Sequence, residues 1–133
     1  MNRLLILLFS VLFCFKGMAQ SNTQIDTAKV VAAQFPKGEK GWKKYILRKL
    51  DDFTAEPNYP KGDFSLNVIV SFKVDVNGDV VEVRIHKSCG NKKIDSYALD
   101  LIEGSPKWLP ATVNGEKTKF KILQSITFNG REF

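Results

Sequence analysis

Strict alternation beginning at Phe64 constrains this chain more than any other feature. Phe64, Leu66, Val68, Val70, Phe72 and Val74 are apolar, and Ser65, Asn67, Ser71, Lys73 and Asp75 intervene. Successive side chains of a strand point to opposite faces, so the pattern specifies a long strand buried on one side. Asn77-Gly78 follows, a pair suited to the positive φ angles of a tight turn, and Val81, Val83 and Ile85 return with Glu82 and Arg84 facing out. The result is an antiparallel hairpin with one apolar face, and that face needs a cover.

Two segments have the helical period to supply it. Over residues 91–103, Ile94, Tyr97, Ala98, Leu101 and Ile102 form one stripe. Over residues 41–53, Trp42, Tyr45, Ile46 and Leu50 share a face, and Lys43, Lys44, Arg48 and Lys49 take the other. Residues 58–62, with Asn, Pro and Gly, form a loop after the first helix. Gly104-Ser105-Pro106 stops the second helix. Pro106 and Pro110 then fix a crossing loop in which Trp108 is expected to plug the edge of the core.

After Asn114-Gly115, Phe120, Ile122, Gln124, Ile126 and Phe128 alternate with Lys119, Lys121, Ser125 and Thr127, which predicts a third strand whose inner face is interrupted only by Gln124. The sum is an α+β fold: a three-stranded antiparallel sheet with two helices packed on one face. Residues 64–74 take the middle of the sheet, residues 80–85 one side and residues 119–128 the other, as an exposed edge.

The chain of 133 residues suffices for one domain, and its start reads differently from the rest. Arg3 precedes an apolar run of about a dozen residues, shorter than the roughly 20 that cross a bilayer as a helix. Gly17-Met18-Ala19 is a small-x-small site, so residues 1–19 are expected to be a signal peptide cleaved after Ala19, giving a periplasmic protein, with an uncleaved inner-membrane anchor as the less favoured alternative. Phe13 is too bulky to make Cys14 a lipid-attachment site. Residues 20–34 read as a flexible lead-in from which Val30 and Val31 can dock, and Phe35-Pro36-Lys37-Gly38 opens a domain over residues 35–133.

The formal charge of +6 falls by the contributions of Arg3 and Lys16 once the leader is removed. The remaining lysines are spread over several elements with no nucleic-acid reader motif, so nucleic acid is not an expected partner. After the leader, Cys89 stands alone, which excludes an internal disulfide. His86 is the only histidine, and no cluster of ligands or carboxylates accompanies it, so neither a metal nor a cofactor is expected. Ser88, Cys89 and His86 lack a residue to orient the imidazole, and Asp51 and Asp52 read as solvated. Asp75, Asn77, Gly78 and Asp79 lack the length and terminal Glu of a calcium loop. No catalytic residues and no small-molecule substrate are evident.

The run Val74-Asp75-Val76-Asn77-Gly78-Asp79-Val80, a second strand, a helix and then Ser105-Pro106-Lys107-Trp108-Leu109-Pro110 resembles the C-terminal domain of TonB energy-transducer proteins, over residues 35–128. The resemblance implies a non-enzymatic module that captures an extended segment, the TonB box, from the plug of an outer-membrane TonB-dependent transporter by strand addition, in TonB-dependent transport. Carried over, the pairing strand is Lys119, Phe120, Lys121, Ile122, Leu123, Gln124, Ser125, Ile126 and Thr127. Asn77, Gly78, Pro106, Trp108, Pro110, Asn114 and Gly115 carry the motif or shape the loops. Complete transducers also carry a membrane helix and a Pro-rich spacer, so a free-standing exported version is expected here. The alternative is an envelope assembly module that forms a homodimer through the same edge strand.

Overall fold

The alternating segment forms β2 (Ser65–Val74), the centre of an antiparallel sheet ordered β3-β2-β6, with β3 spanning Val80–Lys87 and β6 Phe120–Asn129. The computed structural model describes residues 28–130; the expected signal peptide lies outside them. Val68, Val70, Phe72 and Val74 of β2 are fully buried, as are Phe128 and nearly Ile126 of β6. The middle position of β2 and the apolar face of β6 match the expectation.

Helix α1 (Gly38–Thr54) and helix α2 (Lys92–Glu103) complete the core. Asn91 caps α2, its Oδ1 accepting from Lys93 N–H at 3.0 Å and Ile94 N–H at 3.2 Å, which satisfies donors that the first turn leaves free. The stripe Ile94, Tyr97, Ala98, Leu101 and Ile102 is buried as its spacing predicts. Helix α1 joins this layer through Tyr45, whose hydroxyl donates to the Leu101 carbonyl at 2.7 Å.

Three features depart from the sequence reading. The first is β3, whose register with β2 shifts twice. Glu82, at φ 52°, takes an extra place on β3 between the Ser71 and Lys73 pairings. That bulge puts Val80 with Val83 and Ile85 against the core, whereas Val81, expected on the inner face, sits opposite outward-facing Lys73. A bulge reverses the alternation for part of a strand, which an unbroken alternation cannot foresee.

The second is a small sheet ordered β1-β4-β5, formed by β1 (Val30–Val31), β4 (Ala111–Val113) and β5 (Glu116–Thr118). Part of the segment read as a lead-in thus pairs with the domain: Gln34 N–H donates to the Leu109 carbonyl at 3.0 Å, and Leu109 N–H returns to Gln34 at 2.8 Å. Asn114 holds the start of this strand, its Oδ1 accepting from Lys29 N–H at 2.9 Å.

The third concerns the turns. Asn114 and Gly115, at φ 51° and 83°, make the two-residue β4–β5 hairpin, with both residues left-handed. In the Asn77-Gly78 turn only Gly78 is left-handed, at φ 84°; Asp75 Oδ1 accepts from the N–H groups of Asn77 and Asp79, both at 2.9 Å.

A candidate partner-binding edge

Residues Phe120–Asn129 pair with β2 in unbroken register from Phe120 opposite Val74 to Asn129 opposite Ser65. Among the described residues, β6 pairs with no other strand, so its second edge is open to strand pairing, although side chains already occupy two of its carbonyls, Gln124 donating to Ser125 at 3.1 Å and the Tyr59 hydroxyl to Asn129 at 3.1 Å. Lys119, expected as the first residue of this strand, lies just before it in the link from β5, where the chain passes from the small sheet to the large one.

Side chains along β6 divide by face. Phe120, Ile122 and Gln124 are half-buried and Ile126 is buried, whereas Lys121, Leu123, Ser125 and Thr127 are exposed. Asn67 of β2 ties the outward face together, its Nδ2 donating to Ser125 Oγ at 2.7 Å and Thr127 Oγ1 at 3.1 Å. Gln124, read from sequence as a break in the apolar face, lines a groove of about 320 Å³ together with Phe35, Trp42 and Trp108. Its side-chain amide donates to the Ser125 carbonyl at 3.1 Å.

The groove's aromatic wall is held by the two motifs acting on each other. Trp108 N–H donates to the Gly78 carbonyl at 2.9 Å, and its indole N–H donates to Ser105 Oγ at 3.2 Å. A Cβ on Gly78 would lie 2.2 Å from the Trp108 carbonyl oxygen, so the close approach requires glycine there as much as its positive φ does. Around the buried indole, Phe35, Trp42 and Phe72 stand with ring centroids 5.4, 5.5 and 5.4 Å away. Trp108 therefore plugs the core, as expected, and also forms one side of the groove. Pro106 is exposed and Pro110 half-buried, on either side of it. Sequence reasoning missed Phe35 and Trp42 as groove residues, because only long-range packing brings them to β6.

Elsewhere, the sulfur and hydroxyl chemistry is absorbed by local structure. Asp95 accepts from the Ser88 hydroxyl, from Cys89 N–H at 3.1 Å and from the Cys89 thiol at 3.2 Å. Burial pushes the Asp95 carboxyl up, but the bonds from Ser88 and Cys89 outweigh it and hold the pKa below the ordinary aspartate value. Burial, aided by the Asp95 carboxylate, pushes the Cys89 thiol up, away from the thiolate a nucleophile needs. His86 is exposed, on β3. Among the described residues, no group of three or more His, Cys, Asp or Glu is placed to hold a metal ion. No helix among them is long and apolar enough to cross a membrane.

The model of the family described as Gram-negative bacterial TonB protein C-terminal matches residues 65–129, which run from the first residue of β2 to the last of β6. Two relatives, each a "Protein TonB" from a strain of Xanthomonas campestris pv. campestris, are 33% identical over 78 residues, covering 54% of this chain. The match spans 34% of the length of those relatives. No solved structure matches the chain. With the β2–β3 hairpin, α2, the Trp108 loop and β6 in the family's order, residues 65–129 form a TonB C-terminal domain.

Proposed function

We propose that this chain is a non-enzymatic, TonB-like protein-interaction module that receives an extended peptide segment as an added strand along β6. The observation that carries the reading is the ten-residue strand in continuous register with β2, with its other edge unpaired among the described residues and a groove beside its middle. In strand addition, backbone hydrogen bonds supply affinity, and pockets for alternate side chains supply selectivity. The groove of Phe35, Trp42, Trp108 and Gln124 is placed to receive an inward-facing apolar side chain of the guest.

The family supports an outer-membrane TonB-dependent transporter as the partner, the periplasm as the location and TonB-dependent transport as the process. Removal of residues 1–19 after Ala19 would deliver the domain there. Capture from a cell-envelope extract tests the reading, with the chain from Gln20 as bait and bound proteins identified by mass spectrometry. Recovery of outer-membrane transporters, lost with Ile122→Pro or Leu123→Pro, is the expected result. Undiminished recovery by both folded variants would overturn the edge assignment. Recovery of the protein alone, with sedimentation that depends on concentration, would favour self-pairing through the same open edge.

A further inference from the structure

Backbone bonds at the two ends of β2 fix which residues of β6 face its open edge. Directly opposite residues of an antiparallel pair alternate between exchanging both hydrogen bonds and exchanging none. Gly130 N–H donates to the Phe64 carbonyl at 2.8 Å, one step beyond the pairing of Asn129 with Ser65. At the other end Asp75 N–H turns to the β3 side, donating to the Asp79 carbonyl at 2.9 Å. Along the unbroken register, the even-numbered residues of β6 therefore bond with β2, and Lys121, Leu123, Ser125, Thr127 and Asn129 turn their N–H and C=O groups outward. Two of those outward carbonyls have side-chain donors: Asn129 accepts from the Tyr59 hydroxyl and Ser125 from the Gln124 amide, each at 3.1 Å. The donors differ in what holds them. Tyr59 is buried, its ring 6.0 Å from that of Tyr97 and 6.1 Å from that of Phe64. Gln124 is half-buried and lines the groove beside Trp42 and Trp108.

We propose that Gln124 is the latch of the open edge: its amide holds the Ser125 carbonyl in the free protein and gives way to a backbone N–H of the added strand. This rests on the strand-addition reading. A strand added in either direction has to bring an N–H to the Ser125 oxygen, since that carbonyl lies in the middle of the ladder. Across from Gln124 the guest carries an inward-facing residue, its Cβ about 4.5–5.5 Å away. A Gln124 side chain folded forward onto the next carbonyl stands in the space that this residue and its backbone need. Released, it has the groove to enter. Tyr59 has no such freedom, so its hydroxyl keeps the Asn129 carbonyl and the guest's ladder ends at Thr127. The footprint is residues 121–127, which suits a guest of about seven residues.

Two capped heptapeptides test this against the full chain by NMR titration: one alternates valine with glutamine, the other threonine with glutamine. In the natural sequence, saturating peptide should shift the Gln124 side-chain amide and speed its exchange with solvent, a result that needs no variant. Q124M keeps the length of the side chain and removes the donor, and thermal unfolding checks that it folds. It is expected to bind both peptides about two- to fivefold more tightly, the net contribution of one exposed hydrogen bond. The Ser125 carbonyl carbon supplies a readout that groove polarity does not move. Peptide should shift it strongly in Q124M, where the oxygen starts without the amide, and weakly in the natural sequence, where one donor replaces another. A gain confined to the valine peptide would assign the effect to a more apolar groove and overturn the latch. Unchanged affinity in Q124M, or a Gln124 amide that stays bonded in the complex, overturns it as well and leaves the edge reading standing if β6 still binds. Failure of both peptides to bind either protein overturns the two together.

Discussion

The two edges of the large sheet are built to opposite ends. Strand β3 meets β2 through a register that shifts twice, at Ile69/Val70 and between Ser71 and Lys73, with Glu82 in a left-handed conformation. Strand β6 meets the same β2 without a shift over its whole length. Bulges turn an edge away and interrupt its row of donors and acceptors, which is how natural sheets discourage further pairing. One edge is therefore blunted and the other left regular. Selectivity for the side on which a guest strand adds begins in backbone register, before any side chain is read.

The largest expected effect should strike both edges alike. Trp108→Ala removes the indole on which Phe35, Trp42 and Phe72 pack, at a cost of about 3–5 kcal/mol in chemical denaturation. A loss below about 1 kcal/mol would mean that the ring is not part of the core. Next, Gly78→Ala drives a Cβ onto the Trp108 carbonyl at a φ of 84°, at a cost of about 2–3 kcal/mol. In the folded protein its effect should fall on the β2–β3 turn, with amide exchange accelerating in β3 more than in β6.

The comparison sharpens with proline in β6. Consecutive residues of a strand send their N–H groups to opposite edges, so one of Ile122 and Leu123 donates toward the open side. Proline at that position should weaken peptide binding by about tenfold or more and leave pairing with β2 in place; proline at the other should reduce stability. Equal peptide binding by both folded variants would show that the open edge is not used.

The smallest expected effect lies away from both edges. Tyr97 donates to Glu56 Oε2 at 2.6 Å and stacks on Phe53 at 4.6 Å, and burial, with the Glu56 carboxylate, pushes its pKa up to about 12. Because the folded pKa lies above the unfolded value near 10, its contribution is complete below about pH 10 and is lost as pH rises toward 12. Tyr97→Phe should flatten that part of the stability profile relative to the natural sequence. An unchanged alkaline profile would show that the phenol's ionisation is not coupled to folding.

The elements with a sustained period were legible in the sequence. Alternation fixed β2 and β6 to the correct faces, and the stripe from Ile94 to Ile102 identified the buried side of α2. Strand β3 was legible as a strand but not in all its faces, because the extra places taken by Glu82 and His86 are decided by pairing with β2. Strands β1, β4 and β5 span two or three residues, too few for a period, and only Asn114-Gly115 marked their hairpin. At the candidate site the edge strand was readable, whereas the groove was not. Phe35, Trp42, Trp108 and Gln124 lie far apart in sequence and meet only after α1 and the Trp108 loop have packed.

Residue-resolved amide hydrogen exchange, with and without a saturating strand-forming peptide, tests the open-edge claim most directly. Added protection at every second residue of β6, with β3 unchanged, is the predicted result, since only alternate N–H groups face a new strand. Protection gained along β3, or protection in β6 without that period of two, would contradict it.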